Sequence, residues 1–238
     1  MKKLISITIL FIILANLSLW AQDARADLIK INEYYQGKAL STEMRLLIFP
    51  SHESQSVADE FAANYIKTAD GTHYYYKFGE NEMVQTTDFS LLVDHANKMM
   101  MIQPAVTPPV PDLSVTIDSL LKKSGSVTYS LEGEKARYSF SFEKGPYPRI
   151  DLVFDRSTLL IDRLIHFYHK GAYHGVKGIT QEDAVRSELV YDNTRFDLPP
   201  NSAEEYFTEK RFMNLKDGGY AALTAFSEYR LFDFINLN

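Results

Sequence analysis

Apolar residues recur along this chain at two spacings. Leu28, Ile31 and Tyr35 repeat at helical spacing before Gly37, which predicts an amphipathic helix over residues 23–37. From Thr42 the period drops to two. Met44, Leu46 and Ile48 alternate with Glu43, Arg45 and Leu47, the pattern of a strand with one buried face. After Pro50 and the polar stretch 51–56 a second strand is expected over 59–68. Asp70-Gly71 is a strong hairpin turn signal. It leads into 73–78, where Tyr74, Tyr76 and Phe78 share a face. Further strands are expected at 83–87, 89–94 and 98–103. Met99, Met100, Met101 and Ile102 make the last of these apolar on both faces, which demands cover on both sides.

The alternation stops at Pro104. Residues 104–111 carry four prolines and should run extended, since proline lacks the donor a central strand requires. A helix should follow, capped by Asp112, with Leu113, Ile117, Leu120 and Leu121 on one stripe and Ser124-Gly125 at its end. Strands resume at 127–131, 136–143, 149–155, 159–169 and 185–191. Within them Tyr138, Phe140 and Phe142 alternate with Arg137, Ser139 and Ser141. Residues 170–183 read as a polar loop. Beyond Pro199-Pro200, 202–206 is a candidate helical turn, and 209–214 and 226–231 are weaker strand candidates. The expected fold class is mainly β: one strongly curved antiparallel sheet, with an N-terminal helix and an inserted helix on its concave side.

The first residues belong to another grammar. Lys2 and Lys3 precede a nearly unbroken apolar run, Leu4 to Leu14, and Ala21 offers a small residue for cleavage. This is the layout of a secretory signal peptide over 1–21, leaving 22–238 as the working protein; the rival, a retained membrane anchor, is disfavoured because the run is shorter than the roughly 20 residues a span needs and Asp23 follows closely. No later segment is apolar for long enough to span a bilayer. The full chain has a net charge of −6, and loss of Lys2 and Lys3 would make the remainder more acidic. Such a surface argues against nucleic acid or anionic membrane as the main partner. The chain contains no cysteine. That removes disulfides, thiolate metal sites and a lipid-modified cysteine after the signal. The expected location is the periplasm, as a protein not tethered by lipid.

Few residues point to catalysis. His166 and His169 lie an odd number apart on a strand and so face opposite ways, while His174 falls in the loop. Asp94 and His95, with Ser90 nearby, could imitate part of a hydrolytic triad, but no G-x-S-x-G turn accompanies them. Asp162 and Arg163 interrupt an apolar strand, which suggests an edge or rim. No Gly-rich phosphate loop or dinucleotide fingerprint is present. No catalytic residue, metal or cofactor is therefore assigned. The remaining feature is a large supply of tyrosine, phenylalanine and methionine that could line one concave face.

The order of elements resembles the LolA-like periplasmic lipoprotein carriers. The order is signal peptide, N-terminal helix, antiparallel strands, a helix-bearing insertion at 104–124, then more strands. Residues 71–78, 91–94 and 98–102 look like the corresponding meander of that family. The resemblance covers most of 23–195 and implies a single domain over 22–238, with 196–238 as a C-terminal extension. It also implies an incomplete barrel whose apolar cavity takes an acyl chain under a lid, without catalysis. Combined with the aromatic supply, it nominates Leu46, Tyr74, Tyr76, Phe78, Met99, Met101, Leu113, Ile117, Leu120, Tyr138, Phe140 and Phe142 as lining, and a lipid or acylated molecule as ligand. Two other readings stand beside it. One is an envelope interaction module that reuses the fold and docks a protein partner. The other is a metal-dependent hydrolase resting on the histidines.

Overall fold

The computed structural model describes residues 24–105, 113–173, 179–180, 183–216 and 218–235, with side chains omitted at 113–116. The expected signal peptide, most of the proline segment, Asp112 and His174 lie outside the described residues.

Twelve strands form one open, curved sheet. The first meander is β1 (Leu40–Phe49), β2 (Asp59–Lys67), β3 (Tyr74–Phe78), β4 (Asn81–Gln85), β5 (Phe89–Asp94) and β6 (Met99–Pro104). The second is β7 (Ser126–Glu132), β8 (Lys135–Ser141), β9 (Arg149–Asp155), β10 (Ile161–Phe167) and β11 (Arg186–Arg195). Most sequential neighbours pair through short turns, as expected for antiparallel strands, whereas β10 and β11 pair across a long connection. β1 joins the halves by pairing with β2 on one side and β11 on the other. The turns follow their chemistry. Gly71 and Gly133 take positive φ of 71° and 63°, a region open to glycine without steric penalty. The Asp70 carboxylate accepts from Thr68 Oγ1 and from the amide of Thr72.

Helix α1 (Ala24–Tyr35) and helix α2 (Leu113–Lys123) pack together on one face, over the second meander. Gly37, with φ of 67°, lies just beyond the first helix, where a C-terminal stop was expected. Leu28 and Ile31 of α1 and Ile117, Leu120 and Leu121 of α2 meet Ala136, Tyr138, Phe140 and Phe154 of the sheet. Arg25 is ion-paired with Asp118 across the two helices at 2.6 Å. Inside the layer, the Tyr138 hydroxyl donates to the buried Asp27 carboxylate at 2.7 Å.

The tail departs from expectation. Residues 209–214 and 226–231 are not two simple strands. The segment holds a short helix α3 (Ser202–Glu205), 3₁₀ turns at 209–211 and 224–226, a hairpin of β12 (Met213–Lys216) and β13 (Gly219–Ala222), and β14 (Arg230–Asp233). β14 lies parallel to β6 at the edge of the large sheet. The tail covers the face opposite the helices. Phe212 and Met213, 1% and 0% exposed, meet Tyr75, Val84, Leu91, Val93, Met100 and Ile102. Polarity alone did not reveal this role, because the tail's apolar groups follow no single period.

Three further corrections follow. Pro104 does not stand outside β6 but ends it. β14 pairs β6 only as far as Ile102, so the missing proline donor breaks no ladder bond there. The Met99–Ile102 run is not covered on both faces: Met100 and Ile102 are fully buried, whereas Met101 is 36% exposed. Asp162 and Arg163 sit on no edge, since β10 lies between β9 and β11. A bulge between Ile161 and Arg163 breaks the alternation, and Arg163 Nε lies 3.0 Å from Asp162 Oδ2.

Candidate ligand-binding face

Register assigns every strand residue to a face. Tyr65 stands opposite Tyr76, Tyr76 opposite Met83, Met83 opposite Leu92, Leu92 opposite Met101, and Met101 opposite Phe232. These six side chains form one row across β2, β3, β4, β5, β6 and β14, on the same face as α1 and α2. Five strand spacings of about 4.8 Å make a track roughly 24 Å long. Exposure increases along it: Tyr65, Tyr76 and Met83 are half-buried, while Leu92, Met101 and Phe232 are 37%, 36% and 40% exposed. Phe61 and Phe78 flank the row, with ring centroids 5.5 Å apart.

The inner end is a tyrosine cluster. Burial raises the hydroxyl pKa of Tyr65 and Tyr76 and pushes Tyr191 up to about 12, with Tyr35 and Tyr76 adding to the effect. These hydroxyls are neutral donors at physiological pH. Lys67 belongs to the same face, opposite Tyr74 in the neighbouring row. It forms no ion pair with any described residue, and burial lowers the pKa of its ammonium. The face therefore offers an apolar track bordered by a partly desolvated cation.

The nominated lining residues divide between two environments. Tyr76 and Met101 lie on the track itself. Leu46, Tyr74, Phe78 and Met99 share its face on adjoining rows. Tyr138 and Phe140, each 1% exposed, are sealed under the helices with Ile117, Leu120 and Phe142 around them. The side chain of Leu113 is outside the described set. Tyr65, Met83, Leu92 and Phe232 escaped sequence reasoning. The alternation of Tyr65, Met83 and Leu92 was legible, that of Phe232 in the tail was not, and the cross-strand register that aligns all four depends on turn lengths that the sequence left open.

The histidine clusters do not assemble a reactive centre. Ser90 faces the helix side, whereas His95 turns to the tail, with Nδ1 2.9 Å from the Tyr229 hydroxyl and Nε2 3.1 Å from Glu82 Oε1. His166 packs against Tyr147 at 5.0 Å between ring centroids, and burial lowers its pKa. Among the described residues no three His, Asp or Glu side chains group so as to hold a metal ion, and no helix is long and apolar enough to cross a membrane.

The class these features define is a mainly β protein with an open curved sheet, helices on one face and a partly bared apolar track beside them. No family model and no curated sequence matches the chain. Solved structures of similar architecture include an uncharacterized conserved protein from Thermus thermophilus, at 9% identity, covering 77% of this chain and 94% of that one with a TM-score of 0.45. A LolA superfamily protein from Nitrosomonas europaea aligns at 6% identity over 77% and 97% of the two chains, with a TM-score of 0.33. The MucA/MucB complex of Pseudomonas aeruginosa contains a chain aligned at 10% identity over 85% of this chain and 64% of that one, with a TM-score of 0.39. Likeness of this degree carries no argument about function, which has to come from the chain's own residues.

Proposed function

We propose that this protein is an exported, non-catalytic binding protein that takes up an acyl chain or a similar amphiphile on the helix-bearing face. The row Tyr65–Tyr76–Met83–Leu92–Met101–Phe232 carries the reading. It is apolar, about 24 Å long and more exposed in its outer half toward β14. Large apolar groups aligned across a sheet and left at the surface favour an apolar occupant. Methionines at two of the six positions suit chains of varied shape. Covering the track contributes about 25 cal/mol per Å² of apolar area, less the cost of ordering the ligand. Lys67 gives an acidic head group a counter-charge at the tyrosine end.

The test is mass spectrometry of lipid extracted from the purified chain, together with titration by a fluorescent fatty acid. Leu92→Glu and Met101→Glu place charge on the track at surface positions, so the core on the opposite face is untouched. Each should weaken uptake at least tenfold. A protein that carries no lipid and takes up no fatty acid, or variants that bind as the parent does, would overturn the reading.

A further inference from the structure

The sheet face opposite the track, over the second meander, is built differently. Three rows cross β8 to β11 there. Arg149, Phe167 and Arg186 stand opposite one another in the first, Asp151, Ile165 and Glu188 in the second, and Arg137, Val153, Arg163 and Val190 in the third. Arginines thus flank a central row that holds two carboxylates, above the small apolar cluster of Val153, Ile165 and Phe167. The loop after β1 walls the arrangement and encloses a cavity of about 350 Å³, lined by the four arginines, His52, Glu53, Gln55, Glu188, Ile165 and Phe167.

The four guanidiniums are not equally engaged. Arg186 is a structural clamp. It stacks 4.0 Å from the Phe49 ring and donates to the carbonyls of His52 and Ser54 at 2.5 and 3.0 Å. Arg137 is divided between Glu132 at 2.6 Å and Asp151 at 3.5 Å. Arg149 is different. Its guanidinium carbon lies over the Phe167 ring, 3.6 Å from the centroid, with a buried Nε 3.1 Å from Asp151, and its side chain donates no hydrogen bond to any described residue. Arg163 uses Nε on Asp162, and its terminal nitrogens reach Glu188 and Glu132 only at 3.6 and 3.9 Å, beyond hydrogen-bond length. Two forks therefore keep their terminal donors, one from each outer row, and both lean toward the central row. The lining itself holds four arginines and two carboxylates, Glu53 and Glu188, while the buried Asp151 and the flanking Glu132 and Asp162 engage the same guanidiniums from the side.

We propose that this cavity binds a phosphate-class oxyanion between Arg149 and Arg163, at a site separate from the apolar track. A planar fork pairs two donors with two oxygens, and a tetrahedral anion offers oxygens to two forks arriving from different directions. Stacking of Arg149 on Phe167 and the Arg186 clamp on the loop fix the site before the ligand arrives. The anion can be free phosphate or the phosphate of a lipid head group, and the chemistry of recognition is the same.

Calorimetric titration of the exported chain, residues 22–238, at low ionic strength tests this with inorganic phosphate in one arm and monomeric short-chain phosphatidic acid in the other. Saturable one-to-one binding is expected in at least one arm. Binding to phosphate marks the free ion as sufficient, and binding to the lipid alone marks the head group. Arg149→Gln and Arg163→Gln should each weaken it about tenfold. Arg45→Gln should not, because Arg45, on the same face but outside the cavity, is held by Asp192 at 2.7 and 2.8 Å. Independently of how the variants fold, the bound anion should protect Arg149 and Arg163 of the parent from phenylglyoxal. No saturable binding in either arm, no protection, or equal weakening by Arg45→Gln would overturn the proposal.

Discussion

Replacing Glu82 with glutamine should loosen the tail from the sheet. Glu82 is 4% exposed and receives the Tyr75 hydroxyl at 2.8 Å, Arg211 Nη2 at 3.1 Å and His95 Nε2 at 3.1 Å, with Lys77 at 3.5 Å. Arg211 and, through His95, Tyr229 belong to the tail, so this carboxylate ties β4 to the covering segment. A glutamine keeps one acceptor oxygen and turns its amide nitrogen toward donors on the other side. About two charge-assisted bonds, at about 1.5–3 kcal/mol each, become neutral or are lost, and Arg211 stays partly hydrated, so the net cost is about 2–4 kcal/mol. With a urea slope of about 2 kcal/mol per M, the unfolding midpoint should fall by about 1–2 M. Amides of 209–216 should exchange more than about tenfold faster. The dependence on pH has a definite sign. Burial pushes the Glu82 carboxyl up, but Tyr75, Arg211, His95 and Lys77 together outweigh it and hold the pKa below its ordinary value. The stabilisation is complete above the unfolded carboxylate value of about 4.3 and is lost as pH falls through the lower folded value. Parent and variant midpoints should therefore converge in acid. Midpoints within about 0.25 M of each other at pH 7, equivalent to about 0.5 kcal/mol, or a gap that persists undiminished in acid, would refute the reasoning.

Two further expectations follow from the same contrast of faces and turns. Phe212→Ala empties a fully buried position and should cost about 3–5 kcal/mol, whereas Leu92→Ala on the exposed track should cost under about 1 kcal/mol, a difference that urea titration resolves. Asp155 accepts from the hydroxyls and amides of Ser157 and Thr158, which lowers its carboxyl to about 2. Its turn should stay intact above pH 4 and open only as pH falls through about 2; an ordinary carboxylate titration in NMR would contradict this.

Much of the sheet was legible because its strands are short, regular and separated by decisive turns. Tyr74, Tyr76 and Phe78, or Ile150, Leu152 and Phe154, need only a period of two to be assigned a common face. The two helices were legible for the same reason, and they share a face as expected. Periodicity could not show which half of that face the helices cover. Tyr138 and Tyr76 look alike in sequence, yet one is sealed under α1 and the other lies on the track. The tail was illegible because Phe212, Tyr220, Phe226 and Tyr229 reach the core from 3₁₀ turns and a small hairpin, whose contacts are set by the surface they land on. The arginine cavity was hidden in plain alternation. Arg137, Arg149 and Arg186 each read as an ordinary polar-face residue, and Arg163 as a charge interrupting an apolar strand, until register set them side by side.

The placing of β1 at the seam bears on how the chain is made. Each meander can form from neighbouring segments as it emerges, but the halves join only when Arg186–Arg195 returns to Ser41–Phe49 across both of them. Closing so large a loop carries an entropic cost before any ladder bond offsets it, so the zipping of β11 onto β1 should be the slow step. Until then β1 presents a bare edge able to pair with another chain. During that interval the molecule is most open to mispairing, strand edge to strand edge, with a second copy of itself.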